Sequence, residues 1–286
     1  MIYLAFVFGL VFGSFLNVMI YRLNPAPQLR GGVFGRSLCP NCKTQLKWRD
    51  LIPLISFIWL RGRCRYCHKK ISWQYPIVEV LSGFIWLGVF YQNFNGNFQL
   101  IFNFQSIFNL QFLNLGILKY LNFIYDVFVF SAFLIVAVYD FKWKIIPDKA
   151  IYPAIIVVFL YNIFNSVKFQ NFEMFIWPLL VAIAAFIFFF LIYFFSKGRA
   201  MGLGDAKLAF LIGLFLSPIS ALAAFMLAFI IGAVSGIILI GLGEIFSHYK
   251  KWGMESQIAL GPFLIIGTIT AFFFSDFIIR FFQLNS

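Results

Sequence analysis

Long apolar runs separated by short basic stretches fill this chain, and a lipid bilayer is the solvent that suits them. Hydropathy and chain breakers divide the runs into eight candidate spans, at about 2–21, 76–92, 121–139, 150–164, 174–195, 207–217, 219–243 and 259–282. The fourth and sixth are short enough to be half-buried or tilted, and Pro218 separates the sixth from the seventh. Hydrophobic residues make up 62% of the chain and charged residues 11%, against about 25% charged in a soluble domain. A water-soluble protein of 286 residues has too little interior to hide that much apolar surface. In lipid, backbone polar groups must be paired within the fold, which favours helices. The expected fold is an all-α polytopic membrane protein of about eight transmembrane helices.

The charge pattern sets an orientation. Eleven Lys or Arg residues and one acid, Asp50, lie between Arg22 and Lys70. Cytoplasmic loops carry an excess of Lys and Arg, so this loop is placed inside. Parity then puts 140–149, 196–206 and 244–258 inside as well. Each carries basic residues: Lys142, Lys144 and Lys149, then Lys197 and Arg199, then Lys250 and Lys251. The outside connections hold only Lys119 and Lys168. The net charge of +12 thus reflects topology rather than a nucleic-acid surface, and no nucleic-acid partner is expected. Contact with anionic membrane lipids follows from the same charge. The first run, Ile2 to Ile20, has no basic stretch before it, so it reads as a retained helix rather than a secretion signal. The expected organisation is a first transmembrane helix over 1–21, a cytoplasmic basic loop domain over 22–75, and a multi-helix membrane domain over 76–286. Residues 93–120, rich in Asn, Gln and Phe, read as an outer loop or an amphipathic interfacial segment.

All four cysteines fall in the basic loop, as Cys39-x-x-Cys42 and Cys64-x-x-Cys67. A two-residue gap lets both thiolates of a pair reach one tetrahedral ion, and two such pairs 21 residues apart approximate a zinc ribbon or knuckle. Disulfides are the alternative, but a cytoplasmic placement disfavours them. The loop is therefore expected to be a small zinc-binding subdomain. The ion would be structural, because four protein ligands close its coordination. His68 reads as a solvated neighbour.

Ionisable residues in or beside spans are costly in lipid and suggest function. Asp140 ends one apolar run, and Asp205, in Gly202-Leu203-Gly204-Asp205, opens another. The topology puts both at one interface, so they can meet although 65 positions apart. A carboxylate pair suits peptide hydrolysis: one ionised member takes a proton from water, and the other, protonated, polarises the scissile carbonyl. Gly202 and Gly204 would leave room for an extended substrate. The plainer readings are a helix N-cap for Asp205 and an interfacial anchor for Asp140.

Several motifs together resemble the type IV prepilin peptidases, bifunctional leader peptidases and N-methyltransferases of the GxGD aspartic class. They are Gly13-Ser14-Phe15-Leu16-Asn17-Val18, the two cysteine pairs with Ile52-Pro53-Leu54-Ile55-Ser56 between them, and Tyr75-Pro76-Ile77-Val78-Glu79. Asp140 through Ile146-Pro147-Asp148, Gly202 through Leu208, and Leu260-Gly261-Pro262-Phe263 complete the set. Lys149-Ala150 and Leu260 depart from the family's usual residues, as does Leu51 after Asp50. The resemblance implies catalytic Asp140 and Asp205, with substrate contacts at Gly202, Gly204, Glu79 and Asp148. It implies a prepilin or pseudopilin substrate, cut after the Gly that ends a basic leader, at the cytoplasmic face of a prokaryotic inner membrane. It also implies methylation of the new amine from S-adenosylmethionine, with Glu79 either holding substrate or cofactor or pairing structurally with a basic loop residue. Another GxGD intramembrane protease and an ion-coupled transporter using Asp140 and Asp205 are the alternatives.

Overall fold

The computed structural model describes residues 2–23, 37–94, 110–199, 201–245, 259–275 and 277–278. Nine α-helices are found among them: α1 (Ile2–Arg22), α2 (Ile55–Trp59), α3 (Gln74–Phe94), α4 (Leu110–Trp143), α5 (Asp148–Phe169), α6 (Glu173–Ser196), α7 (Leu203–Phe215), α8 (Pro218–Ile245) and α9 (Gly261–Phe273). Described β-structure amounts to two isolated bridges, so the fold is all-α. Six helices are long and apolar enough to cross a membrane, namely α1, α3, α4, α5, α6 and α8.

Each of the eight expected spans coincides with a helix, but α7 is too short to cross: its 13 residues cover about 20 Å at 1.5 Å per residue, against a hydrocarbon core of about 30 Å. α9 covers Gly261–Phe273 of the eighth expected span, and helical backbone recurs at Ser275, Phe277 and Ile278; part of that span lies outside the described residues. Apolar character was legible in the α7 run; length was not. The opposite correction applies to the fourth span. It was expected to be short, yet α5 runs for 22 residues. Pro153 lies within its first two turns, near the end where amides lack intrahelical partners and proline costs least. α4 is also longer than expected, with 34 residues. The Asn/Gln/Phe-rich stretch therefore enters this helix from Leu110 onward, while its 95–109 part lies outside the described residues.

The chain divides into two compact units, Met1–Ile135 and Val136–Ser286, with the division inside α4. In the first, α1 packs along α3. Glycine makes the approach close: a Cβ on Gly9 would lie 2.7 Å from Cα of Gly83, and one on Gly13 would lie 2.7 Å from Cα of Glu79. Two glycines four apart on one helix face are the small-residue pattern that lets membrane helices touch backbone to backbone. Further along, Phe90 and Phe94 stack at 5.1 Å and Phe123 of α4 meets Phe90 edge-on. Beside them the amide of Asn93 donates to the buried carboxylate of Asp126 at 2.9 Å.

In the second unit α7 is the central element, packed against α5, α6, α8 and α9. Asp205, Ala206, Leu208, Ala209, Leu211, Ile212, Gly213 and Leu214 are all buried, so α7 is wrapped by protein rather than by lipid. A Cβ on Gly213 would meet Cα of Ala182 at 2.6 Å, which fixes α6 against α7. The inner end of α7 is finished by Asn162, whose Nδ2 donates to the Leu214 carbonyl at 2.8 Å. That carbonyl would otherwise be an unpaired acceptor on a buried residue at a helix terminus.

Candidate active site and metal centre

The cysteine loop is folded twice on one plan. In the first half Leu38 bridges Gln45, the Cys39 amide donates to the Thr44 carbonyl at 3.0 Å, and the Lys43 amide returns to Cys39 at 2.8 Å. In the second half Arg63 bridges Lys70, the Cys64 amide donates to Lys69 at 2.9 Å, and the His68 amide returns to Cys64 at 3.0 Å. The residue after each pair is left-handed, Lys43 at φ 56° and His68 at φ 55°, and this turns both thiols of a pair to one side. All four Sγ atoms lie within 4.8 Å of one another, with Cys39 and Cys67 3.9 Å apart. A disulfide needs about 2.05 Å, and the four cysteines are free. Four sulfurs around zinc at a bond length of about 2.3 Å stand about 3.8 Å apart. The cluster can therefore hold one metal ion, and its spacing is compatible with zinc. Hydrogen bonds from the side chain and then the backbone of Thr44 hold the Cys42 thiol down to about 6, while, against a hydrogen bond from the Lys69 backbone, desolvation and the neighbouring thiols push Cys67 up to about 11, so the four thiols share their protons unevenly until a metal displaces them.

The loop is also tied to the bundle. The Leu54 amide donates to Glu79 Oε2 at 2.9 Å, and the Ser14 hydroxyl is a second partner of that carboxylate. Glu79 is thus held by an amide and a hydroxyl rather than by a basic side chain among the described residues. Next to it, Asn17 Nδ2 donates to the Tyr75 carbonyl at 3.0 Å, while the buried Asn17 Oδ1 has no partner among the described residues.

The two aspartates meet in the second unit. Asp140 sits one turn from the end of α4 and is buried. Its Oδ2 accepts the Gly261 amide at the start of α9, at 3.1 Å. Asp205 is in the first turn of α7, also buried, and its Oδ2 accepts the Gly202 amide at 3.0 Å. In each case one oxygen is fixed by a helix-terminal N–H and the other accepts no hydrogen bond from the described residues. The carboxylates are near enough for the charge of Asp140 to act on Asp205. The N-cap reading of Asp205 is thereby realised in modified form, since its carboxylate closes the first turn of α7 from within. This leaves one oxygen for chemistry.

The remaining motif residues surround this pair. Asp148, at the start of α5, forms an ion pair of 2.6 Å with Lys207, whose ammonium also lies 5.0 Å from the Tyr152 ring centroid. At Gly204 the space a Cβ would fill is taken by Ile146, 2.9 Å away; at Gly202 the nearest atom is Asp205 Oδ2 at 3.6 Å. Sequence reasoning missed the role of Gly261. A Cβ there would fall 2.5 Å from Asp140 Oδ2, so only glycine admits the carboxylate in this position. The Gly-Pro-Phe element containing it was the available signal, but nothing in the linear order connects it to a residue 121 positions earlier.

A helical multi-pass membrane protein with a metal-ready cysteine loop and a buried carboxylate pair is the class that these features define. Residues 7–93 match the family profile described as bacterial peptidase A24 N-terminal domain, and residues 127–238 match the type IV leader peptidase family. This chain belongs to the type IV leader peptidase family. A Vibrio cholerae serotype O1 protein named prepilin leader peptidase/N-methyltransferase is 30% identical over 278 residues, covering 93% of this chain and 94% of the relative. Proteins of the same name from Dickeya chrysanthemi and Bacillus subtilis are 28% and 27% identical, covering 90% and 99% of this chain and 87% and 98% of their own lengths. No solved structure gives a significant match.

Proposed function

We propose that this chain is a prepilin leader peptidase of the aspartic class, with Asp140 and Asp205 as its catalytic dyad. The observation that carries the proposal is the convergence of two buried carboxylates from different helices, each anchored through one oxygen by a backbone amide. Family membership and the relatives' names support the substrate class. In this scheme the ionised member of the dyad removes a proton from water, which attacks the carbonyl of the Gly–Xaa bond after the leader. The protonated member hydrogen-bonds that carbonyl oxygen and later supplies a proton to the leaving amine. The Gly261 and Gly202 amides keep both side chains in register through the cycle. Gly202 and Asp148 line the approach, Asp148 through its pairing with Lys207, whereas the space beside Gly204, expected to be open for substrate, seats Ile146 instead. The Lys/Arg excess of the loops beside the dyad supports a reaction at the cytoplasmic face of a bacterial inner membrane.

The same chain is proposed to methylate the amine it exposes, with S-adenosylmethionine as donor, as the relatives' names suggest. Glu79 is the candidate for holding substrate or donor, beside the Oδ1 of Asn17, which has no partner among the described residues. Mass spectrometry of processed substrate incubated with S-adenosylmethionine tests this; an amine that stays unmodified refutes it.

Cleavage of a pilin-like leader peptide in liposomes tests the dyad. Asp140→Asn and Asp205→Asn should each abolish nearly all cleavage while membrane abundance holds. The double variant should be little worse than either, because residues acting as a unit are non-additive. A well-expressed single variant cleaving at near wild-type rate rules the dyad out. The transporter reading predicts instead an acid-dependent ion flux without cleavage.

A further inference from the structure

We propose that the groove between α2 and the first turns of α3 binds one anionic phospholipid. Its phosphate would be held by Arg61, Arg63 and Lys70, and its acyl chains would lie along Ile77, Val80 and Leu81. The groove has a volume of about 760 Å³ and these six residues are part of its lining, within the range of about 300–1,000 Å³ typical of small-molecule sites.

Its floor is membrane helix. Ile77, Val80 and Leu81 are spaced three and four apart on one face of α3, a candidate membrane span, and Ile77 and Leu81 are exposed. Its wall is α2, a one-turn helix in an otherwise polar loop. Ile58 is 73% exposed, Trp59 80% and Trp73 69%. A patch of this kind is a liability in water, whereas tryptophan is the residue that settles at headgroup depth. The wall is also fixed: Glu79 pins the Leu54 amide at 2.9 Å, and Phe57 packs on Trp73 at 5.0 Å.

The rim carries the charge. Arg63 and Lys70 are opposed across an antiparallel bridge, where like charges directly opposite are destabilising. Arg61 lines the same groove. Among the described residues no acid pairs with any of the three, since Asp50 is taken by Arg65 at 2.7 Å and by the Tyr66 hydroxyl at 3.3 Å. Three clustered cations above an apolar trough complement a ligand with an anionic head and hydrocarbon tails. A basic peptide leader is repelled by the same rim. The inference rests on α3 crossing the membrane and not on the assignment of Asp140 and Asp205.

The test is native mass spectrometry of the full-length protein in detergent, titrated with palmitoyl-oleoyl phosphatidylglycerol or palmitoyl-oleoyl phosphatidylcholine. The expected result is one tightly retained phosphatidylglycerol and no comparable phosphatidylcholine. The double variant Arg61→Gln/Arg63→Gln should bind phosphatidylglycerol about thirtyfold more weakly, at about 1 kcal/mol per basic residue near an anionic surface. The charge-matched Lys47→Gln/Arg49→Gln should bind as wild type. Leu81→Trp, which fills the trough and leaves the rim intact, should also lose the lipid, and so keeps the test decisive if the charge variant misfolds. Metal content of each variant reports the fold of the loop. Equal retention of both lipids, equal loss in the two charge-matched variants, or displacement of the lipid by a leader peptide would each overturn the proposal.

Discussion

Replacing Gly261 by Ala adds one carbon at the first residue of α9 and should disable cleavage in a protein that still folds. The new Cβ would stand 2.5 Å from Oδ2 and 3.2 Å from Cγ of Asp140. Carbon and oxygen in contact ordinarily keep about 3.3 Å, so the carboxylate must withdraw by roughly 0.8 Å. That movement stretches the 3.1 Å bond from the Gly261 amide, and hydrogen bonds to charged groups contribute about 1.5–3 kcal/mol. A reacting group misplaced by about 1 Å costs on the order of a hundredfold in rate. Stability should fall by at most about 3 kcal/mol, because the weakened bond is offset in part by the preference of a helix for Ala over Gly, up to about 1 kcal/mol. Steady-state cleavage of a leader peptide in liposomes, paired with thermal unfolding in detergent, separates the two effects. The expected result is a kcat lowered about a hundredfold in a protein that stays folded, with a modestly lower melting temperature. A variant with kcat within threefold of wild type would show that Asp140 does not need its present position, and the argument from geometry would fail.

Exchanging Cys39 for Ser should lower the bound metal and loosen the loop, as measured by metal analysis and limited proteolysis; a metal-free protein of unchanged stability would dismiss the site. Because the ligands must be thiolates, metal occupancy should fall as the pH is lowered, and titration against a chelator reads this directly. Single cysteines introduced at Lys144 and Lys197 of a Cys-free variant should resist an impermeant label in intact cells; ready labelling of either would reverse the proposed orientation. Gly213→Ala puts a Cβ against the Ala182 backbone at 2.6 Å, and should destabilise the protein by about 1–3 kcal/mol in thermal unfolding. Unchanged stability would mean that α6 and α7 are not packed as described.

Apolar periodicity and breakers located every long helix, because lipid exposure demands a continuous apolar run. They did not measure length reliably. α7 is as apolar as the other spans but stops after 13 residues, and α4 begins in polar-rich sequence that no hydropathy argument would include. The cysteine cluster was legible because its ligand spacing is local to each pair, and the symmetry of the two halves comes from bridges on either side. Asp140 and Asp205 were legible through charge parity, which places loop ends on one side of the membrane without knowing the packing. The Gly261 amide was not, since its partnership with Asp140 depends on how α9 docks rather than on any neighbouring residue. Nor was the anchoring of Glu79 by Leu54, where a backbone amide takes the place of the basic loop residue that was one of the two partners considered.

The burial of α7 bears on how the protein is made. A segment of 13 residues carrying Asp205 and Lys207 would be a poor passenger to release sideways into lipid, since it cannot reach across the hydrocarbon and brings two ionisable groups with it. Its partners already exist when it is synthesised: α5 supplies the Asn162 amide that donates to its far end and Asp148 for Lys207, and α6 supplies the Ala182 surface for Gly213. Insertion of the helix bearing one of the two aspartates is thereby coupled to completion of the preceding hairpin. A chain whose α5–α6 hairpin is incorrectly assembled would lack the surface that seats this helix, and the carboxylate pair could not form.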